Sequence, residues 1–300
     1  MISFATFNIR GLGFQQENNQ HSKRELLGLD CEKYHVDICA LQETKVTESD
    51  SLVLRNGFNL FLFEQLDSRH GGLGFIISPR MMNYVVCWKY ISDRVCYVDI
   101  CIPSRSGTPL RCRVINAYCP HQGLVRKNPA VLDNFYGQLR EAKNVSSNVE
   151  LQFLGDFNSK LGKLSPPDIE QGIGRYMGKY GMGVRNENGS RLLDFISEND
   201  LFAANTSFIH PSRHVTSFTG WRKDWSAGRL SKKTLPVYSQ IDYILCRNRS
   251  KCLFLNQELM LVLRHFQIIN LSLLASISTT FIFVSSLNNV VFLLTTYQNL

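Results

Sequence analysis

The sequence predicts an α/β fold, a layered domain of β-strands and helices. Three observations predict it. Short β-rich runs alternate with turn residues through most of the first 250 residues. Helical stretches lie between those runs, so strands and helices mix along one chain instead of segregating. Runs such as 95–102 crowd apolar residues onto both faces, which suits a strand covered on both sides.

The elements follow in order. Residues 1–10 lack a basic start followed by a long apolar core, so they read as a first strand over 2–9 and not as a signal peptide. A helix is expected over 23–34, then strands over 38–42, 74–78, 85–90, 95–102 and 111–118. Pro129 suits a first helical turn, which opens a helix reaching residue 143. An apolar strand over 151–154, approached from Glu150, runs out into Leu154-Gly155-Asp156-Phe157-Asn158. A third helix over 191–199 follows Asn188-Gly189-Ser190, and a strand over 241–246 closes a domain spanning residues 1–250.

Composition sets the class. Apolar content of 44% and charged content of 19% describe a globular chain. A net charge of +8 favours an acidic partner, nucleic acid or a membrane surface. The nine cysteines show neither a CxxC pair nor zinc spacing, which reads as reduced thiols in the nucleus or cytoplasm. Residues 251–300 change character, and 266–300 carry no charged residue. Three readings of this tail stay open: a membrane anchor over 266–296, a buried C-terminal helix, or translated sequence never selected for this fold. Only the first places the chain at a membrane.

Polar residues at strand ends carry the chemistry. Asp156 and Asn158 stand two apart, and an extended chain would point both the same way. A carboxylate beside a carboxamide can orient a water and hold an anion, as hydrolysis of a phosphate ester requires. Asn8, Glu43, Tyr118 and Asp242 also stand at or inside strand ends. Oxygens from Asn8 and Glu43 would suit Mg²⁺, which keeps several of its waters. Each residue alone has a plainer reading: Asn8 a turn, Glu43 a helix-start carboxylate, Tyr118 core, Asp242 a structural acceptor. Between 221 and 233 the cations Arg222, Lys223, Arg229, Lys232 and Lys233 interleave with Trp221 and Trp225. A loop of this composition suits a polyanionic backbone and unstacked bases.

Taken in series, these motifs resemble the endonuclease/exonuclease/phosphatase superfamily. The wording Ser68-Arg69-His70-Gly71-Gly72-Leu73-Gly74-Phe75, with Ser217-Phe218-Thr219-Gly220-Trp221, is similar to the endonuclease domain of LINE-type retrotransposons, RTE-like elements above all. The resemblance implies a DNase I-like fold, a four-layer α/β sandwich of two mixed β-sheets flanked by helices, and a DNA endonuclease dependent on Mg²⁺ or Mn²⁺. It implies Asn8 and Glu43 at the metal, Tyr118 and Asn158 on the phosphate, and Asp156 activating water. Asn205, in Ala204-Asn205-Thr206, matches a further polar position. Asp242 would orient a histidine, yet the terminal Ser-Asp-His motif of the family is missing, and His265 follows Leu263-Arg264 instead. Impaired catalysis is the expectation, with a catalytically dead nucleic-acid-binding domain or a membrane-attached lipid or inositol phosphatase as alternatives. Arg10 stands where abasic-site repair enzymes place an acidic residue.

Overall fold

A computed structural model describes residues 2–12, 23–65, 71–104, 107–209, 211–223, 234–250 and 282–286. The elements run β1 (Ile2–Asn8), α1 (Lys23–Lys33), β2 (Ile38–Gln42), β3 (Asp50–Val53), β4 (Asn59–Leu62), β5 (Leu73–Ile77) and α2 (Pro79–Met82). Then come β6 (Val85–Ser92), β7 (Val95–Ile102), β8 (Leu110–Tyr118), α3 (Gln122–Lys127), α4 (Ala130–Lys143) and β9 (Glu150–Asp156). The remainder is α5 (Pro166–Glu170), α6 (Glu187–Glu198), β10 (Leu201–Ala203), α7 (Ser212–Val215), β11 (Phe218–Lys223), β12 (Thr234–Ser239), β13 (Asp242–Arg247) and β14 (Ile282–Ser286).

Two six-stranded mixed sheets form, ordered β14-β1-β2-β5-β4-β3 and β10-β13-β9-β8-β7-β6. Alternation along the strands explains the layers. In β1 and β2, Ile2, Phe4, Ile38 and Ala40 face the opposite sheet, where they meet Val98, Val114, Leu154 and Ile244. Their alternates Ala5, Phe7, Cys39 and Leu41 pack with Leu27 and Cys31 of α1. On the other side Phe153, Ile115 and Tyr243 pack with Phe135 and Leu139 of α4 and Phe195 and Ile196 of α6. The result is the expected helix–sheet–sheet–helix stack. A buried polar bridge joins inner strands of the two sheets: Thr6 Oγ1 donates to Gln42 Oε1 (3.1 Å), and Gln42 Nε2 donates to Asn116 Oδ1 (2.7 Å).

Strands β3 and β4 and the β11–β12 hairpin stand outside the sequence reading. The segment read as a basic loop from Trp221 begins as strand: Trp221, Arg222 and Lys223 lie in β11, paired with Pro236, Leu235 and Thr234. Trp225, Arg229, Lys232 and Lys233 lie outside the described residues, as does the tail around β14. Within that tail, Ile282–Ser286 pairs antiparallel with β1, from Ile2 opposite Ser286 to Thr6 opposite Ile282. Among the described residues no helix is long and apolar enough to cross a membrane. The eight described cysteines form no disulfide with one another.

Candidate active site

Strand polarity gathers the polar residues at one end of the sandwich. β1 and β2 are parallel, so Asn8 and the residue after Gln42 emerge together. β8 and β9 are also parallel, with Tyr118 opposite Asp156. β13 runs antiparallel to β9 and starts where β9 ends, which sets Asp242 opposite Asp156. Three strand directions thus converge on one cleft.

Asn8 bridges the sheets there. Its Nδ2 donates to Glu43 Oε1 at 2.8 Å and to Asp156 Oδ2 at 2.9 Å. Its Oδ1 accepts the Arg10 N–H at 3.2 Å, so the amide offers the carboxylates its nitrogen. Tyr118 donates its hydroxyl to Glu43 Oε1 at 2.9 Å, and Lys45 Nζ sits 3.3 Å from Glu43 Oε2. Burial alone would raise the Glu43 pKa. The hydrogen bonds from Asn8 and Tyr118 and the Lys45 ammonium outweigh it, leaving this carboxyl below its ordinary value. Burial, with the charges of Glu43 and Asp156, pushes the Tyr118 phenol up and keeps it protonated.

Asp156 accepts two hydrogen bonds. Oδ1 takes the Asn158 N–H at 2.8 Å, and Oδ2 takes the Asn8 amide. Burial nevertheless dominates and, with Glu43 nearby, raises Asp156 to about 6. Asp242 is pushed up more strongly, by burial first and then by Asp156 across the register pair, against the Ser217 hydroxyl and Arg10. Like charges set opposite each other on adjacent strands oppose ionisation in this way. Among the described residues no histidine is hydrogen-bonded to Asp242.

Asn158 departs from the extended alternation expected of it. Its φ of +45° turns the chain, and its Nδ2 donates to Cys119 O at 2.8 Å. One amide proton remains for a ligand. Asn205 is brought close but faces backbone: Nδ2 donates to Asp242 O (3.0 Å) and Oδ1 accepts Ile244 N (3.3 Å), which fixes the start of β13. Ser217, which sequence reasoning passed over except as part of a motif, accepts the N–H groups of Ile241 and Asp242. Among the described residues six non-glycine positions have positive φ, and four of them, Arg10, Glu43, Lys45 and Asn158, belong to this cleft. Backbone held in that region costs about 1–3 kcal/mol each and clusters at functional sites. The glycine-rich stretch 172–183 leads into Arg185, which forks onto Asp168 at 2.8 and 3.0 Å.

A pH dependence of stability follows. Asp156 and Asp242 bind a proton more tightly folded than unfolded, so their stabilisation is full below the ordinary carboxylate range. It is lost as pH rises through about 6 for Asp156 and higher for Asp242. Glu43 and Asp168, the latter held to about 2 chiefly by Arg185, act in the opposite sense, but only at lower pH. Metal-free protein is therefore expected to unfold at a higher temperature at about pH 5.5 than at pH 8, and Asp156→Asn to shrink that difference while the Asp242 share remains. Thermal unfolding followed by circular dichroism checks this; a wild-type maximum at pH 8 would contradict it.

A family model described as the endonuclease/exonuclease/phosphatase family matches residues 5–255. Craniofacial development protein 2 of Bos taurus is 27% identical over 249 residues, covering 81% of this chain and 36% of that protein. Its counterpart in Tragulus javanicus is 26% identical and is covered over 37% of its length. The chain thus spans little more than a third of the curated relatives it matches. The catalytic domain of Xenopus laevis APE2 superposes with a TM-score of 0.50 at 16% identity, with 83% of each chain covered, a likeness of fold and of the DNase I-like stack.

Proposed function

Because this chain belongs to the endonuclease/exonuclease/phosphatase family, we propose that it is a metal-dependent phosphodiester hydrolase acting on DNA. We further propose a retrotransposon origin and a turnover reduced by the lost terminal histidine motif. The observation that carries the chemistry is the continuous polar chain Tyr118–Glu43–Asn8–Asp156, facing Asp242 in one cleft.

Each residue has a derivable task. Asp156, with a pKa of about 6, can accept a proton from an attacking water near neutrality. Asn8 and the Asn158 N–H hold its two oxygens, so the carboxylate presents its remaining lone pairs in a fixed direction. Asn158 offers its second amide proton to a phosphoryl oxygen. Tyr118 spends its single proton on Glu43 and reaches a phosphate only by releasing it. Asp242 lies opposite Asp156, and burial, which favours its protonated form, lets it share a hydrogen bond instead of adding charge.

The residues fit a hard divalent cation. Glu43 and Asp156 present carboxylate oxygens on either side of Asn8, and an ion held by one or two carboxylates keeps most of its waters. Glu43 would hold Mg²⁺ or Mn²⁺, steadied by Asn8 and Tyr118. Such an ion neutralises phosphoryl charge and stabilises the leaving oxygen when bound.

Support for DNA over a small phosphomonoester comes from outside the cleft. The β11–β12 hairpin projects Trp221 at 70% exposure and Tyr238 at 54%, on one face by the register Thr219–Tyr238 and Trp221–Pro236. The net charge of +8 favours a polyanion. The motifs at 68–75 and 217–221 favour the retroelement group. The absent histidine removes one transition-state donor, a loss of about 10²–10³ in rate. The test pairs supercoiled-plasmid nicking with phosphate release from an inositol polyphosphate, each with Mg²⁺ and with excess chelator. Slow, chelator-sensitive nicking without phosphate release is expected. Phosphate release without nicking would replace the reading with a phosphatase, and salt-sensitive DNA binding without either with a dead domain.

A further inference from the structure

We propose that Arg10 is a phosphate-binding residue of this site, a guanidinium positioned between the cleft and the β11–β12 hairpin to receive a DNA backbone phosphate. The inference rests on the DNA reading above and assigns one specific contact within it.

The backbone fixes where Arg10 stands. Its φ is +50°, and its N–H donates to Asn8 Oδ1 at 3.2 Å, directly behind the strand end. The next residues are sewn to the loop that carries Glu43: Gly11 N–H donates to Glu43 O at 2.6 Å and Leu12 N–H to Thr44 O at 2.9 Å. Arg10 is thus the exposed corner of a pinned turn. From that corner its guanidinium carbon lies 5.9 Å from the centroid of the Phe218 ring, at the first residue of β11. The residue before Phe218 is Ser217, which holds the Asp242 backbone. The side chain therefore crosses from the Asn8 side of the cleft to the Asp242 side.

Among the described residues the other cations bordering the cleft are committed. Lys45 pairs with Glu43, and Lys23 Nζ donates to the carbonyls of Ile9 (2.7 Å) and Gly11. Arg94 donates to Tyr118 O at 3.3 Å and lies 5.3 Å from the Tyr118 ring centroid. Arg10 has no carboxylate within ion-pair distance among the described residues. Stacking on an aromatic face leaves the edge of a guanidinium, with its fork of N–H donors, free for a phosphate. Its charge acts on Asp156 and Asp242 and draws both toward ionisation. A phosphodiester entering above two crowded carboxylates needs a positive group at this place.

The test uses the full chain with Arg10→Gly and Arg10→Lys. Glycine accepts a φ of +50° without strain, so the fold survives loss of the side chain. Binding of a short duplex DNA is measured by fluorescence anisotropy in chelator across a salt series, and nicking is measured in parallel. Losing one phosphate contact lowers the slope of log affinity against log salt by about 0.9, or about eightfold in affinity at 0.1 M salt. Arg10→Gly is expected to show both changes, and Arg10→Lys to keep the slope while binding more weakly than wild type. A slope unchanged in Arg10→Gly, or no binding by wild type, would overturn the proposal. A wild type that binds with an Arg10-dependent slope yet never nicks would retire the hydrolase reading and leave the Arg10 contact standing.

Discussion

Asp156→Asn is expected to reduce plasmid nicking by about 10³-fold, while the protein stays folded. The size comes from two losses in one atom change. A carboxamide cannot take a proton from water, which removes the general base. It also has one acceptor where the carboxylate has two, and both are in use. Oδ1 receives the Asn158 N–H and Oδ2 the Asn8 amide, so the variant must turn an NH₂ toward one of them. Asn8 also orients Glu43, so the disturbance reaches the carboxylate proposed to hold the metal. Single-turnover nicking by wild type and variant, with far-ultraviolet circular dichroism to confirm the fold, measures this. A variant within tenfold of wild type would remove Asp156 from the chemistry.

Gly155→Ala should produce the largest loss of stability. A Cβ built on Gly155 would stand 1.9 Å from the carbonyl oxygen of Ala117 and 2.8 Å from its carbon. Both atoms are backbone of β8, opposite Gly155 in the parallel ladder, so no side chain can move aside. The central strands of the second sheet must part, at a cost of about 3 kcal/mol or more. For a domain of this size that lowers the melting temperature by about 6–12 °C. Tyr118 and Asp156 are the next residues along these strands, so activity should fall with stability. Gly137 provides the contrast. It lies inside α4 with nothing within 4 Å of the added Cβ, and Gly137→Ala should stabilise by about 0.5–1 kcal/mol. Thermal unfolding of the pair checks both signs.

Much of this fold and site was legible because its signals are local. β1, β2 and β7 are apolar on both faces, and a strand between two covering layers needs that pattern. Asn8, Tyr118, Asp156 and Asp242 interrupt or end such runs, where a polar group has little structural use. Other parts depended on partners distant in sequence. β3 is largely exposed and β4 half-buried at the sheet edge, so neither carries a strong pattern. The β11–β12 hairpin was hidden by its cations and by Pro236, which an edge strand tolerates. The direction of Asn158 was misread because alternation stops where φ turns positive. Asn205 matched a polar position of the site only through the resemblance, and the backbone of β13 takes up both ends of its amide. The use of the Asn8 nitrogen, in place of its oxygen, depends on Arg10 and Glu43 meeting it from two loops.

The hydrolase reading is tested most directly by supercoiled-plasmid nicking with the full chain, comparing wild type with Asp156→Asn in Mg²⁺ and in excess chelator. The expected result is slow accumulation of nicked circles by wild type in Mg²⁺ alone, absent from both the variant and the chelated sample. Nicking that persists undiminished in folded Asp156→Asn, or no nicking by folded wild type with either Mg²⁺ or Mn²⁺, would contradict it.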